Sequence, residues 1–430
     1  MAIQRLEVNG FRSLKSIDWA PGRLNLVVGP NGGGKSNLIR ALEMIASAAT
    51  GQLRKAIENA NGMIPLLWDY QPGSLGWRVR IDPVDQRRDP IRDALTFELE
   101  LGQVGAGSAY EIRKDTLGNW FKYDQGTEKY PYWVFQRDAR HAIFFDQNQQ
   151  KLADYLEQPD EFNADESLLS QISNLSNKVP SHTRRVIGGW TIHHDIHVDR
   201  DSAIRLPATT QHTTKLDADG SNLAPFLHTT YSLREFRDLI DDGMRAGFGA
   251  PYDKLDFPPA AASQIQLAVF WKSSNRPHVA RDLSDGTLRF LLILAVLANP
   301  DPPALIVIDE PEMGLHPSML PIIAEYAVAA SQRTQVVLSS HSPEFLDAFS
   351  DYSPQVTLCH WEDGQRNVVS LDRQDWHVGY KRTGSGKCSR KENWTISHCC
   401  RLTPSRISKI AYPFSPQMKR SLRSRSRRRP

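Results

Sequence analysis

Three stretches predict an α/β fold built on a mixed or parallel central sheet in this 430-residue chain. Leu24 to Val28 is a short apolar run suited to a buried strand, and it leads through a glycine-rich turn into apolar residues at helical spacing from Asn37 to Ile45. Leu305 to Ile308 is a second apolar run, ending on Asp309 and Glu310. Gln335 to Ser340 is a third, delivering His341 to a similar strand end.

Taken in chain order, Met1 to Arg5 enters a strand directly and shows no secretory apolar region, so a cytoplasmic location is expected. The turn after Val28, Gly29-Pro30-Asn31-Gly32-Gly33-Gly34-Lys35-Ser36, has the strand–turn–helix setting of a phosphate-binding loop. Glycines let the backbone curl round phosphate oxygens with N–H groups inward, and the helix N-terminus adds partial positive charge. Asn31, Gly32, Gly33, Gly34, Lys35, Ser36 and Asn37 are therefore the expected nucleotide-binding residues, for ATP with Mg²⁺. Lys35 would reach the β- and γ-phosphates, and the Ser36 hydroxyl would ligate the metal.

The middle of the chain is less informative. Residues 65–145 mix alternating stretches such as Trp77 to Ile81 and Leu95 to Leu101 with turn residues, which predicts an antiparallel β subdomain. Residues 152–180 and 223–246 read as helical, and no heptad repeat is sustained, so a short helical lid is expected and no long coiled coil. In Ile192-His193-His194-Asp195-Ile196-His197-Val198-Asp199, a strand would place His193, Asp195, His197 and Asp199 on one face. That pattern could mimic a metal site, but the apolar face opposite is ordinary for a half-exposed strand.

Asp309 and Glu310 leave their strand at the sheet edge where open α/β sheets bind ligands. Asp309 would hold the Mg²⁺ shell, and Glu310 would serve as general base on the attacking water. His341 would sense the γ-phosphate, with Ser342 as helix N-cap and Pro343 in the first turn.

Leu283-Ser284-Asp285-Gly286-Thr287-Leu288-Arg289 resembles the LSGGQ signature of ABC-type ATPases, with Asp285 and Thr287 as departures. With Ile3 to Leu14, Gly29 to Gly32, Asp309-Glu310-Pro311-Glu312, Gly314-Leu315-His316-Pro317 and Ser339 to Pro343, the chain is similar to the RecF/SMC-like branch, and more narrowly to RecF-like or AAA_21 ATPases. The resemblance is close over residues 1–50 and 280–377 and loose between them, in patches such as Leu216 to Leu223. It implies an ABC-type P-loop NTPase head that forms a homodimer across ATP, with Ser284 and Gly286 acting in trans on the partner's γ-phosphate. It also implies a lid glutamine on the metal, for which Gln171 is the candidate. Work on DNA in repair or recombination follows from the same resemblance. A rival is the ATPase subunit of an anti-phage system that gates a partner nuclease. A transporter subunit is disfavoured by the 246 residues between Ser36 and Leu283 and by the Gly314 to Pro317 segment.

The expected domains are 1–64 (first lobe of the ATPase core), 65–150 (antiparallel part), 151–280 (lid and connecting strands), 281–377 (second lobe) and 378–430 (basic tail). No membrane partner is expected, because the longest apolar run, Phe290 to Ala298, is far shorter than the roughly 20 residues a bilayer requires. The net charge of +3 conceals a split: Gly379 to Pro430 carries 15 Lys and Arg against one acid, Glu392, so the remaining 378 residues have a net charge of −11. The basic pI therefore says nothing about the core as a nucleic-acid binder. The tail reads either as a polycation for nucleic-acid phosphates or as out-of-frame translation, which the abrupt change of composition near Tyr380 favours. Cys359, Cys388, Cys399 and Cys400 have neither zinc-site nor redox spacing and are expected to be free thiols.

Overall fold

The computed structural model describes residues 2–70, 73–83, 94–105, 109–119, 132–138, 142–146, 151–154, 163–172, 178–261, 263–362 and 365–371. The basic tail and its three cysteines lie outside the described residues. The chain opens with β1 (Ile3–Phe11), β2 (Leu14–Trp19), β3 (Leu24–Val28), α1 (Lys35–Thr50) and α2 (Leu53–Asn59). Six strands follow: β4 (Ser74–Ile81), β5 (Leu95–Gln103), β6 (Tyr110–Asn119), β7 (Tyr132–Asp138), β8 (Ala142–Asp146) and β9 (Lys151–Asp154). Next come α3 (Leu168–Gln171), α4 (Val179–Ile187), β10 (Thr191–His193), β11 (Ala208–Thr209), α5 (Leu223–Thr230) and α6 (Arg234–Phe248). Short strands β12 (Tyr252–Asp256), β13 (Pro259–Ala261), β14 (Gln264–Ile265), β15 (Ala268–Trp271) and β16 (His278–Val279) lead to α7 (Asp285–Ala298). The chain then runs through β17 (Leu305–Asp309), α8 (Leu320–Ser331), β18 (Gln335–Ser340), α9 (Pro343–Asp347), β19 (Gln355–Glu362) and β20 (Gln365–Leu371).

The central sheet has the order β10-β17-β18-β3-β19-β20. Its first five strands are parallel, and β20 returns antiparallel to β19. Alternate side chains serve two cores. Leu24, Leu26, Ile306, Ile308, Val336 and Leu338 face the core that holds α5 to α8. Val27, Leu305, Val307 and Val337 face the other, which holds α1 and the second large sheet. Strands buried on both faces carry apolar side chains at successive positions, which explains the continuous runs in the sequence.

The second large sheet is antiparallel, in the order β2-β1-β4-β5-β6-β7-β8-β9. One of its faces packs on α1 through Leu6, Val8, Trp77, Phe97 and Leu99, so α1 lies between the two sheets. Polar bonds join the sheets as well. The Gln335 amide at the start of β18 accepts from Ile3 N (2.8 Å) and donates to Ile3 O (3.0 Å) and Gly22 O (2.8 Å). Trp19 Nε1 donates to Thr357 Oγ1 at 3.0 Å.

The fold is thus mixed α/β with a mostly parallel central sheet and an antiparallel sheet, as expected. The longest described helix is α1 at 16 residues, so no long coiled coil is present among the described residues. Several expectations shift. The predicted 223–246 helix is two, α5 and α6, interrupted at Tyr231 to Leu233. The predicted 152–180 helix begins with β9 and, among the described residues, is helical in α3 and the start of α4. The expected breaks at 64/65 and 150/151 do not divide the sheets, because β1 and β2 pair into the same antiparallel sheet as β4 to β9. Within 151–280, β10 joins the central sheet.

Candidate functional site: a nucleotide site at the strand ends

The loop from Gly29 to Ser36 joins the end of β3 to the start of α1. A Cβ at Gly29 would lie 2.2 Å from the Cys359 carbonyl oxygen of β19, so only glycine lets the chain turn there. Gly34 precedes the first helical residue with φ 110°, and no side chain caps α1. The first-turn N–H groups of a helix have no intrahelical acceptor, which makes this end fit to receive an anion. Asn31 and Gly32 are exposed at the loop tip, while Gly33, Gly34 and Lys35 are buried. The Lys35 ammonium folds over the loop and donates to Gly29 O at 2.8 Å and Pro30 O at 3.2 Å. Asn37 is turned the other way, donating from Nδ2 to Ser13 Oγ at 2.5 Å in the β1–β2 turn. This ties the hairpin to the first turn of α1 and gives Asn37 a structural partner in place of an open nucleotide contact.

Asp309 comes to the same place from a distant part of the chain. It ends β17 with 8% exposure, and Ser36 Oγ donates to its Oδ2 at 3.4 Å across 273 residues of sequence. Ser339 donates to its other oxygen. Burial works to raise the Asp309 pKa, but His194, Ser339 and the Lys35 charge outweigh it and hold the carboxyl below its ordinary value. Asp309 is therefore a carboxylate.

The next residue makes the turn. Glu310 has φ 47°, a left-handed backbone that costs a non-glycine residue of order 1–3 kcal/mol. Its surroundings hold it there: Glu310 N donates to Ser339 O (3.2 Å) and Ser339 Oγ (3.1 Å). Its carbonyl accepts from Met313 N (3.0 Å) and Arg289 Nη2 (3.1 Å). The carboxylate points outward, with Oε1 2.8 Å from His341 Nδ1. The Ser342 hydroxyl caps α9 by accepting from Phe345 N at 3.2 Å, which fixes the backbone just after His341.

His194 was not foreseen at this site. Its Nδ1 lies 2.8 Å from Asp309 Oδ2. The approach does not meet hydrogen-bond geometry, and the contact is an ion pair only when the imidazole is protonated. The Asp309 carboxylate raises the His194 pKa against the opposing effect of burial. Arg40 Nε reaches His194 Nε2 at 3.4 Å. The explanation is register. In the parallel pairing of β10 with β17, His193 stands opposite Ile308, so the following residue falls beside Asp309. The expected shared face of His193, Asp195, His197 and Asp199 does not form, because β10 ends at His193. His193 is instead fully buried, bonded through Nδ1 to Ala218 O at 2.7 Å and pushed down to about 4 by burial. Among the described residues there is no group of three or more His, Cys, Asp or Glu arranged to hold a metal.

Gln171 is not brought to the site. Its Oε1 accepts from Asn163 N (2.7 Å), and its Nε2 donates to Asn163 O (3.0 Å) and Glu166 O (2.9 Å). The amide is consumed in closing the turn that leads into α3. The residue beside Asp309 is His194.

The donors at the strand ends fit Mg²⁺. A serine hydroxyl and an ionised carboxylate are the hard oxygen ligands this ion takes, and it commonly draws its remaining ligands from phosphates and water. The sparse protein donor set is thus what a nucleotide-bound Mg²⁺ needs.

The segment around Ser284 lies at the N-terminus of α7. Ser284 is exposed and caps the helix, its hydroxyl accepting from Thr287 N at 3.1 Å. The unusual Asp285 pairs with the buried Arg205. A Cβ at Gly286 would come within 2.9 Å of Gly314 O, which places this glycine against the turn that follows Glu310. Cys359 is buried and free. No helix among the described residues is long and apolar enough to cross a membrane.

Among known proteins, the chain is 40% identical over 52 residues to the OLD nuclease of Thermus scotoductus, a match that spans 12% of this chain and 10% of that protein. In structure it is similar to the SmcHead bound to the C-winged helix domain of ScpA (14% identity, TM-score 0.48, 86% of this chain and 98% of that one). It is also similar to the Smc head domain with an extended coiled coil bound to the C-terminal domain of ScpA from Pyrococcus furiosus (11% identity, TM-score 0.48, 87% and 97%). The AAA_21 family profile, described as "AAA domain, putative AbiEii toxin, Type IV TA system", matches residues 24–347, a span that includes the loop, His194, Asp309, Glu310 and His341, and the chain belongs to this family.

Proposed function

We propose that the chain binds ATP with Mg²⁺ at the C-terminal ends of β3, β17 and β18 and hydrolyses it to ADP and phosphate. The observation that carries this reading is the convergence of Lys35, Ser36, Asp309, Glu310 and His341 on one sheet edge from three separated segments. Lys35 would leave its two loop carbonyls to neutralise phosphate oxygens, and the first-turn N–H groups of α1 would cradle them. Ser36 and Asp309 would hold the metal, which supplies charge neutralisation on the β- and γ-phosphates. Glu310, outward-facing and oriented by His341, would take the proton from the attacking water. The single set of motifs and the exposed Ser284 support a homodimer in which Ser284 and Gly286 complete the partner's site.

For the biological role, the RecF-like motifs support ATP-driven work on DNA in repair or recombination. The family description and the short match to an OLD nuclease favour a second reading, an ATPase that gates a partner nuclease in anti-phage defence. Glu310→Gln tests the core of the proposal. The variant should bind ATP, lose about 10²–10⁴-fold in kcat and accumulate as a dimer in sedimentation. Undiminished hydrolysis would remove Glu310 as the base. Measuring the ATPase rate with and without DNA, for the full chain and for a variant lacking 378–430, separates the two roles. Stimulation that survives loss of the tail supports repair, and a nuclease that co-purifies and fires only with ATP supports defence.

A further inference from the structure

We propose that Arg289 is a positioning residue that hands the placement of the Ser284–Gly286 segment, at the N-terminus of its own helix, on to the carboxylate of Glu310. The inference rests on the reading of Glu310 as base and goes beyond it by naming what sets its conformation.

Arg289 sits on α7, 7% exposed, in a stretch where every residue from Thr287 to Ala298 is buried. Its Nη2 donates to Glu310 O at 3.1 Å and its Nη1 to Ile196 O at 3.3 Å, while Nε is buried without a partner. A guanidinium in such a place needs compensating charge, and Arg289 has it in Glu312, Glu310, Asp195 and Asp309. The bond to the Glu310 carbonyl is the informative one. Glu310 is left-handed, and the direction of its carbonyl is tied to that backbone state. Relaxing the residue to an ordinary conformation would swing the carbonyl off Nη2 and the carboxylate off His341 together.

The N-terminus of α7, one turn before Arg289, is held by a second buried arginine. Arg205 is 4% exposed and donates to Val198 O (2.8 Å), Asp199 O (2.9 Å), Ala280 O (3.0 Å) and Leu283 O (2.7 Å), and it pairs with Asp285. The loop that presents Ser284 is therefore fixed to the same rod that carries Arg289. Gly286 packed against Gly314 is a second contact between that rod and the catalytic turn. A displacement of Ser284, such as docking on a partner's phosphate would cause, reaches Glu310 through one helix and one hydrogen bond. If Arg289 were only a staple between α7 and the sheet edge, its loss would lower stability without separating kcat from ATP affinity.

The test uses the full chain with Arg289→Met and Arg289→Lys, each also combined with Glu310→Gln. Arg289→Met should lower kcat by about 100-fold, the scale of a misplaced reacting group, with ATP affinity unchanged in a binding assay. Arg289→Lys keeps a cation and a donor able to reach the Glu310 carbonyl, so it should recover most of that loss. Because Arg289 acts through Glu310, Arg289→Met should cost almost nothing more in the Glu310→Gln background. ATP-driven dimerisation of that double variant should persist. Fully additive losses, or an unchanged kcat in Arg289→Met, overturn the proposal. If the methionine variant does not fold, Arg289→Lys decides: kcat and ATP affinity falling together there overturn it too. Undiminished hydrolysis by Glu310→Gln alone would instead overturn the assignment of the base, so the two failures are told apart.

Discussion

In the central sheet, β3, β17 and β18 are buried at every position, whereas β4 of the antiparallel sheet alternates half-buried and buried residues from Ser74 to Ile81. The difference is one of direction as much as of burial. Parallel strands all send their C-termini to the same edge, so Gly29, Glu310 and His341 emerge side by side although they come from distant parts of the chain. Antiparallel strands send successive ends to opposite edges and cannot gather groups in that way. The antiparallel sheet contributes bulk instead, with Trp77, Phe97 and Leu99 packed toward α1. On the proposed function, chemistry is concentrated in one sheet and support in the other.

Substitutions at the two places should therefore differ in kind, and the largest effect belongs to the parallel edge. Lys35→Ala removes two donors to the expected phosphates. At about 1.5–3 kcal/mol for each charge-assisted bond, ATP affinity should fall by about 100-fold or more, read by calorimetric titration. Retained affinity would break the comparison at its strongest point. A smaller effect is expected for His194→Ala. This change removes the imidazole that adjoins and orients the Asp309 carboxylate, and the Mg²⁺ concentration for half-maximal ATP binding should shift by about tenfold. A metal titration superimposable on wild type would place His194 outside the site's function.

The least kinetic effect belongs to the antiparallel sheet. Asp115 on β6 is wholly buried, accepting from Leu168 N (2.6 Å) and Ser167 Oγ (3.2 Å), and burial pushes its pKa up to about 6. The folded state thus prefers the protonated acid. The stability it confers is complete below the ordinary carboxyl value of 3.8 and is lost as pH rises through about 6. Asp115→Asn should remove that decline, worth up to about 3 kcal/mol, and leave ATPase constants unchanged. Denaturant melts between pH 4 and 7 provide the check. Curves that run parallel for the two proteins would show that Asp115 does not titrate as described, and altered kinetics would blur the division between the sheets.

What the sequence disclosed follows the same division. The phosphate loop, Asp309, Glu310 and His341 were legible because each sits in a contiguous motif whose residue types are tied to its turn. The alternation at Trp77 to Ile81 and Leu95 to Leu101 likewise announced β4 and β5. His194 was hidden because its place depends on how a three-residue strand registers against β17, which local pattern does not encode. Gln171 misled for the opposite reason: the residue type suited a metal, but nothing local revealed that neighbouring backbone would consume its amide. Arg205 left no mark, and Arg289, though it closes the signature-like stretch, suggested no role, since an arginine beside an apolar run reads as a surface residue until the carbonyls that receive it are known. That β1 and β2 belong to the antiparallel sheet was equally invisible, because they precede the loop in sequence and look like part of its lobe.

The position of β3 also bears on how the protein is made. This strand leaves the ribosome long before both of its neighbours, β18 and β19, which lie near the far end of the described chain. Until Gln335 to Leu358 has been synthesised, an apolar strand of five residues has neither of its final partners, with both hydrogen-bonding edges open to other chains. Contacts of such long range are slow to close. The loop after β3 therefore gains its final support only after translation has passed His341, and a nascent chain stalled before that point presents an aggregation-prone strand.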